Sequence, residues 1–327
     1  MKKILLILMA LIYMLQPLSF ALEEYDQIAE ESTAFLVAEL QTGKIITQHN
    51  IDNPVAIASL SKLMTYLLIK EKIRDDSTLN ENSLFTIPPE AVDEREASAH
   101  YKAGEQVSVS NMLEALMIVS GNDAASALAI FHSGSVERFV DAMNVKAKEL
   151  GLITAHFINP SGLTVGEEYN RMSLFDYLTL SRYTVSRFPE IRTYSQQEYY
   201  TDTNRDFQRF NYALFIKDRI NQADYIKTGF TDIAGYSAII GGRFEYNVPE
   251  ENYEFIAVLT GAQSADARVD LFTRLINGVH FESPLSRVKQ YIHYGSMVIK
   301  QDPWYPSNLF KFRQNFLKLG APDELQQ

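Results

Sequence analysis

A serine followed three residues later by a lysine can do chemistry where the chain is helical, and Ser59 with Lys62 in the stretch ASLSKLMT makes such a pair. Residues three apart share a helical face, so the amine can reach the hydroxyl of Ser59 while Ser61 points elsewhere. A serine hydroxyl is a poor nucleophile until a base takes its proton. A lysine can be that base when burial or a second cation keeps it neutral. The pattern alone says little, because about one chance match is expected in a chain of this size. Ser286 with Lys289 is a second match, so other motifs must decide between them.

Two further groups suit the same chemistry. SGN, Ser120 to Asn122, sets a hydroxyl and a carboxamide two residues apart beside an apolar helical stretch. KTG, Lys227 to Gly229, sets a cation and a hydroxyl on an expected strand, with a glycine that lets a substrate backbone come close. Each has an ordinary use as well: Ser120 and Asn122 as caps, Lys227 as a solvated strand lysine, Thr228 as a strand former. In order on helix, loop and strand, the three motifs reinforce one another. Ser286 and Lys289 have no such company and read as chance.

The elements that must position these groups can be read from periodicity. TAFLVAEL, QTGK and IITQHN predict a β-hairpin from Thr33 to Asn50. Leu60, Leu63, Met64, Leu67 and Leu68 recur at helical spacing, which predicts a helix from about Ser59 to Ile73. Further helices are expected over Ser110–Ala129, Val136–Leu150 (ended by Gly151) and Ser173–Ser186. After Asp224, YIKTGF, YSAIIGGRFEYN and YEFIAVLTGA predict three antiparallel strands, and Ala265–Asn277 returns to helix. The expectation is an α+β fold: an antiparallel sheet built from both chain ends, helices on its faces, and a helical block inserted between.

Composition narrows the class. The chain has 327 residues, 46% hydrophobic and 22% charged, enough for one large core or two small ones. A formal charge of −11 argues against nucleic-acid partners, which need clustered cations. Residues 1–21, MKKILLILMALIYMLQPLSFA, pair a cationic start with a short apolar run, a proline and small residues. They read as a secretory signal cleaved after Ala21, giving an exported, periplasmic or extracytoplasmic protein. There is no cysteine, so no disulfide framework or lipid-bearing cysteine is available, and no histidine pair has metal-ligand spacing. No metal and no cofactor are expected. Neither a Gly-x-Ser-x-Gly elbow nor a phosphate-cradling Gly-x-x-x-x-Gly-Lys loop is present.

With ASLSK, SGN and KTG in this order, the chain resembles the serine D-alanyl-D-alanine carboxypeptidases, low-molecular-mass penicillin-binding proteins that share a fold with class A β-lactamases. YKAGEQVSVSNMLEALMIVSGNDAASALA, INPSGL and IKTGFTDIAGYS extend the likeness across Ala34 to Phe281. The resemblance implies peptidoglycan stem peptides and β-lactams as partners, with Ser59 as nucleophile and Lys62 as its base. It also implies that Ser120 relays a proton to the leaving amine, that Asn122 bonds the substrate amide, and that Lys227 sets the protonation of Lys62 and Ser120. Thr228 would bind the terminal carboxylate and Arg268, in GAQSADAR, would sit near it. The N–H groups of Ser59 and Phe230 would hold the oxyanion.

Class A β-lactamases usually have Ser-Asp-Asn in the second motif, and a glutamate four residues before an asparagine. Here Gly121 stands in the motif, Gly166 precedes Asn170 by four, and Glu167 and Glu168 are out of register and read as solvated. A peptidase is favoured over a β-lactamase or a non-catalytic wall-binding module. The domain expected is 22–281. The tail 282–327 is too short for the second domain of many relatives, which leans toward the shorter ones that act as endopeptidases on cross-links. NLFKFRQNFLKL within the tail places Leu309, Phe312, Phe316 and Leu319 on one helical face among Lys311, Arg313 and Lys318. It is expected to pack on the domain, with peripheral membrane contact as the alternative.

Overall fold

The computed structural model describes residues 24–92, 97–202, 205–211, 213–245 and 252–281. A helix over residues 24–31 (α1) precedes β1 (Ala34–Glu39) and β2 (Ile45–His49), the expected hairpin. Then come β3 (Val55–Ala56), a 3₁₀ turn (Ala58–Ser61) and, without a break, α2 (Lys62–Asp75). The ribbon β4 (Leu84–Thr86) and β5 (Gln106–Ser108) leads into α3 (Val109–Glu114), α4 (Asn122–Ser133) and α5 (Val136–Glu149). β6 (Arg171–Met172), α6 (Leu174–Arg187) and α7 (Ile191–Gln196) follow, and then the hairpin β7 (Tyr199–Asp202) and β8 (Phe207–Phe210). After α8 (Leu214–Lys217), the chain makes β9 (Ala223–Thr231), β10 (Gly235–Phe244), β11 (Tyr253–Ala262) and α9 (Ala265–Phe281).

Five of these strands form one antiparallel sheet in the order β2-β1-β11-β10-β9. Ala34 lies opposite Thr260 and Glu39 opposite Phe255, so the first strand and the last are neighbours and the helical block is an insert, as expected. Side chains alternate across a strand, and the core divides accordingly. Leu36, Ile239, Ile256 and Val258 face a core that includes Leu63, Leu67, Leu116 and Leu128 of the helical block. Phe35, Val37, Ile240 and Leu259 face the other core, built with Ile28 of α1 and Leu271, Leu275 and Val279 of α9. Burying each such side chain contributes roughly 1.5–3 kcal/mol.

One expected element is different. Ser110–Ala129 is not a single helix: α3 passes into a π turn (Ala115–Val119) and the chain breaks at Ser120, whose φ of 62° is left-handed. Apolar periodicity runs through the break because both halves bury the same side of the block, so the interruption is invisible to a hydrophobic pattern. α6 begins at its Ser173 cap and α5 at its Ser135 cap, each accepting a backbone N–H three residues on. α9 runs four residues past the expected Asn277. Residues 1–21 and the tail 282–327 lie outside the described residues. Among the described residues no helix is long and apolar enough to cross a membrane.

Candidate active site

Ser59 sits in the 3₁₀ turn and Lys62 opens α2, an arrangement that brings Lys62 Nζ to 3.0 Å from Ser59 Oγ. The turn is tightly held. Ser61 Oγ donates to the Ala58 carbonyl (2.7 Å), and the hydroxyl of Tyr177 on α6 donates to the Leu60 carbonyl (2.8 Å). Ala58 has a φ of 45°, a conformation that a residue with a Cβ adopts only when its surroundings enforce it. Two glycines leave room for it. A Cβ on Gly162 would lie 1.9 Å from the Ala58 carbonyl oxygen, and one on Gly229 would lie 3.1 Å from the Ser59 nitrogen. Gly229 therefore makes room for the protein's own serine turn, a use that sequence reasoning, looking for substrate approach, did not identify.

Lys62 is fully buried and has two further acceptors: Asn122 Oδ1 at 2.9 Å and the Ser161 carbonyl at 2.7 Å. A neutral amine has two hydrogens and one lone pair. As a charged amine Nζ donates to all three oxygens, Ser59 Oγ included; a neutral one that kept its hydrogens on Asn122 and Ser161 would turn its lone pair to the Ser59 hydroxyl. Asn122 reaches Lys62 because it starts α4 immediately after the left-handed break at Ser120.

The Ser161 carbonyl belongs to INPSGL, which entered the sequence reading as family likeness and not as a wall of the site. Asn159 Oδ1 accepts from the nitrogens of Ser161 (3.2 Å) and Gly162 (2.6 Å). Buried Asn170 supports the same loop, accepting from Ile158 N at 2.7 Å and donating to the Asn159 carbonyl at 2.9 Å. Asn170 is thus a loop brace, and Glu167 and Glu168 are exposed, as their register suggested.

The third motif completes the site from the sheet. β9 is an edge strand, and along it Lys227 and Gly229 alternate with Thr228 and Phe230. Lys227 is buried and its Nζ donates to Ser120 Oγ (2.8 Å) and to the Thr228 carbonyl (2.7 Å). Burial, reinforced by the nearby Arg268 cation, pushes its pKa down to about 7. Thr228 is half-buried, and the Phe230 ring is 4.3 Å from that of Tyr236. Arg268, in the first turn of α9, lies 6.0 Å from the Tyr236 ring and bonds the Ser237 carbonyl at 3.4 Å. Its buried Nε has no hydrogen-bond partner, and burial lowers its pKa to about 10.

The residues singled out in the sequence are thus brought together: Ser59, Lys62 and Asn122 in one hydrogen-bonded group, Ser120 with Lys227 in a second, Thr228, Gly229 and Phe230 along β9, and Arg268 reaching from α9 to Tyr236 and Ser237 of β10. Among the described residues no group of three or more His, Asp or Glu side chains could hold a metal ion.

The chain is similar in sequence and fold to known proteins. D-alanyl-D-alanine carboxypeptidase DacF of Bacillus subtilis is 32% identical over 260 residues, which cover 77% of this chain and 63% of that protein. Penicillin binding protein 6B of Escherichia coli superposes with a TM-score of 0.66 at 27% identity, covering 76% of this chain and 77% of that one. Penicillin-Binding Protein D2 of Listeria monocytogenes, solved in a cefotaxime-bound form, gives 0.65 at 27% identity over 77% of this chain and 98% of that one. The chain spans less than two thirds of the length of the Bacillus relative. A family model described as D-alanyl-D-alanine carboxypeptidase matches residues 22–263, and the chain belongs to that peptidase family.

Proposed function

We propose that this protein is a serine D,D-peptidase that hydrolyses the terminal D-Ala-D-Ala bond of peptidoglycan stem peptides through an acyl-Ser59 intermediate, and that β-lactams acylate the same serine. The observation that carries this reading is Lys62 Nζ, 3.0 Å from Ser59 Oγ and bonded to Asn122 and Ser161 on its other sides. Lys62 takes the Ser59 proton as Oγ attacks the carbonyl carbon between the two D-alanines. The Ser59 and Phe230 N–H groups stabilise the oxyanion, a donor pair whose loss typically costs about 10²–10³ in rate per donor. Ser120, bonded to Lys227, passes a proton to the departing amine, and water then releases the acyl group.

Thr228, with Arg268 and Lys227 beside it, binds the terminal carboxylate, and Asn122 aligns the substrate amide as well as Lys62. The unpartnered Arg268 Nε supports an anion at this end of β9. The terminal reaction is preferred to cutting of cross-links because these cations suit a free carboxylate. Relatives that act on the cell wall fit an extracytoplasmic location. We further propose that residues 1–21 direct export to the periplasm and are removed, that 22–281 is the catalytic domain, and that the apolar face of 308–319 packs on it.

The test is labelling of purified protein by a fluorescent penicillin, with mass spectrometry of muropeptides after incubation. Wild type should label at Ser59 and release D-alanine from pentapeptide ends, and Ser59→Ala should do neither. An unlabelled wild type, or activity surviving in Ser59→Ala, overturns the mechanism. Cleavage of cross-linked dimers in preference to pentapeptide ends overturns the substrate assignment alone.

A further inference from the structure

Beside the start of α4 runs a short irregular segment, residues 97–101, fixed from two sides by groups that the reaction itself does not use. On the inner side is Asp123, the residue after Asn122 and almost wholly buried. Its Oδ2 accepts from Ser98 Oγ (2.8 Å) and Tyr101 N (3.1 Å), and its Oδ1 from Ala99 N (3.0 Å) and Ala124 N (2.9 Å). Four donors around one buried carboxylate fill its acceptor sites. On the outer side is Arg205, from the turn of the β7–β8 hairpin. One of its nitrogens, Nη1, donates to the carbonyls of Ala99 (2.7 Å) and His100 (2.6 Å). The guanidinium pairs with Glu105 (3.0 Å) and Asp202 (2.8 Å) and lies 4.9 Å from the Tyr101 ring.

Presenting two successive carbonyls to one nitrogen goes with a left-handed His100, whose φ is 59°. A side-chain-bearing residue persists there only where its surroundings over-determine it. The segment is also wired to the reacting groups. The Ala97 carbonyl accepts the Asn122 N–H at 2.8 Å, and Asn122 Oδ1 accepts from Lys62. The middle residue of SGN fits this arrangement too, since a Cβ on Gly121 would lie 2.9 Å from Asp123 Oδ1.

We infer that Asp123 and Arg205 are positioning residues that clamp segment 97–101 against the start of α4, and thereby set the Asn122–Lys62 alignment on which acylation of Ser59 depends. This rests on the acyl-serine reading above. Asp123→Asn keeps the shape but turns an amide NH₂ toward groups that are themselves donors. Arg205→Lys keeps the charge but loses the fork. Gly121→Ala pushes on the carboxylate without touching either partner.

The measurement is the acylation rate of the full chain by fluorescent penicillin at saturation, its half-saturating concentration, and the melting temperature. Arg274→Lys serves as the control, because Arg274 bonds Glu24 and Glu31 at the remote α1–α9 contact. Each clamp variant should acylate about tenfold to a hundredfold more slowly, with half-saturation within twofold of wild type. The double variant Asp123→Asn with Arg205→Lys should be no slower than the worse single one, because both act through one segment. The control should lose melting temperature without losing rate. Folded Asp123→Asn and Arg205→Lys proteins that acylate within twofold of wild type overturn the proposal. So does a rate that falls only as far as the folded fraction does, or failure of all three variants to fold. A wild type that does not label at Ser59 would instead remove the reading beneath it.

Discussion

Lys70 and Lys227 are both buried lysines, with 8% and 1% of their surfaces exposed, yet they are different chemical objects. Lys70 lies two turns along α2 from Lys62 and pairs with Glu81 and with Glu190 (2.7 Å), joining α2 to the loop before β4 and to the start of α7. Burial pulls its pKa down, but the bonds to Glu190 and Glu81 outweigh it and the net shift is upward. Lys227 donates to a hydroxyl and a carbonyl, with Arg268 as its charged neighbour, and burial followed by that cation brings its pKa down to about 7. The deeper burial of Lys227 and the charge of the Lys70 acceptors together separate a lysine that is a permanent cation from one that can exchange a proton near neutrality.

The strongest way to break this comparison is Lys227→Met. Activity should fall by about 10²–10⁴, the usual worth of a positioned proton-transfer group. Stability should move the other way. A lysine whose folded pKa is depressed from 10.5 to about 7 binds fewer protons folded than unfolded across that window, so its penalty is full below pH 7 and fades as pH rises toward 10.5. Thermal melts should show Lys227→Met at least as stable as wild type at pH 6, with the difference shrinking by pH 10. A variant that melts lower at pH 6 than at pH 10, relative to wild type, would contradict the assignment.

Arg268→Gln sharpens the same point with a smaller effect. Removing that cation raises the Lys227 pKa, so the limb of kcat/KM near pH 7 should move to higher pH, and KM for an anionic substrate should rise about tenfold, in the range of one charge-assisted contact. A limb that stays in place would mean that Arg268 does not act on Lys227. Gly229→Ala should cost less, about threefold to tenfold in acylation, because the Ser59 nitrogen has to yield a few tenths of an ångström to a Cβ 3.1 Å away. Unchanged acylation would show that the packing of β9 on the serine turn is looser than the geometry says.

Much of this site is legible in the sequence alone. The three-residue spacing of Ser59 and Lys62 needs only a helical turn, and strand alternation places Lys227 and Gly229 together. What could not be read is whatever depends on distant backbone. The Ser161 carbonyl that completes the Lys62 environment comes from 99 residues away, and the Tyr177 hydroxyl that fixes the Leu60 carbonyl from 117. The break at Ser120 was hidden because both sides of it are apolar on the same face. Lys70 and Lys227 look alike in the sequence, since the glutamates that make one a structural cation lie beyond local reach, at Glu81 and Glu190. Arg268 was found only through family likeness, because an arginine opening an amphipathic helix has no local signature of function.

Lys70→Met should have the smallest effect on chemistry and tests the other half of the comparison. Its partners are partly solvated, with Glu81 and Glu190 side chains 37% and 44% exposed, so both can recover water when the cation is gone. The cost therefore falls between that of an exposed pair and that of a buried one, about 1–2 kcal/mol, or a melting temperature lower by roughly 3–6 °C. Acylation of Ser59 measured well below the melt should stay within twofold of wild type. The pH signature is opposite to that of Lys227: a raised pKa gives stability that is fully present below the ordinary lysine value of 10.5 and is lost only as pH climbs through the folded value. The gap between wild type and Lys70→Met should therefore stay level from pH 6 to pH 9, across the range in which the Lys227→Met gap changes. If both gaps changed together near pH 7, the glutamates around Lys70 would have no part in deciding which of the two lysines can do chemistry.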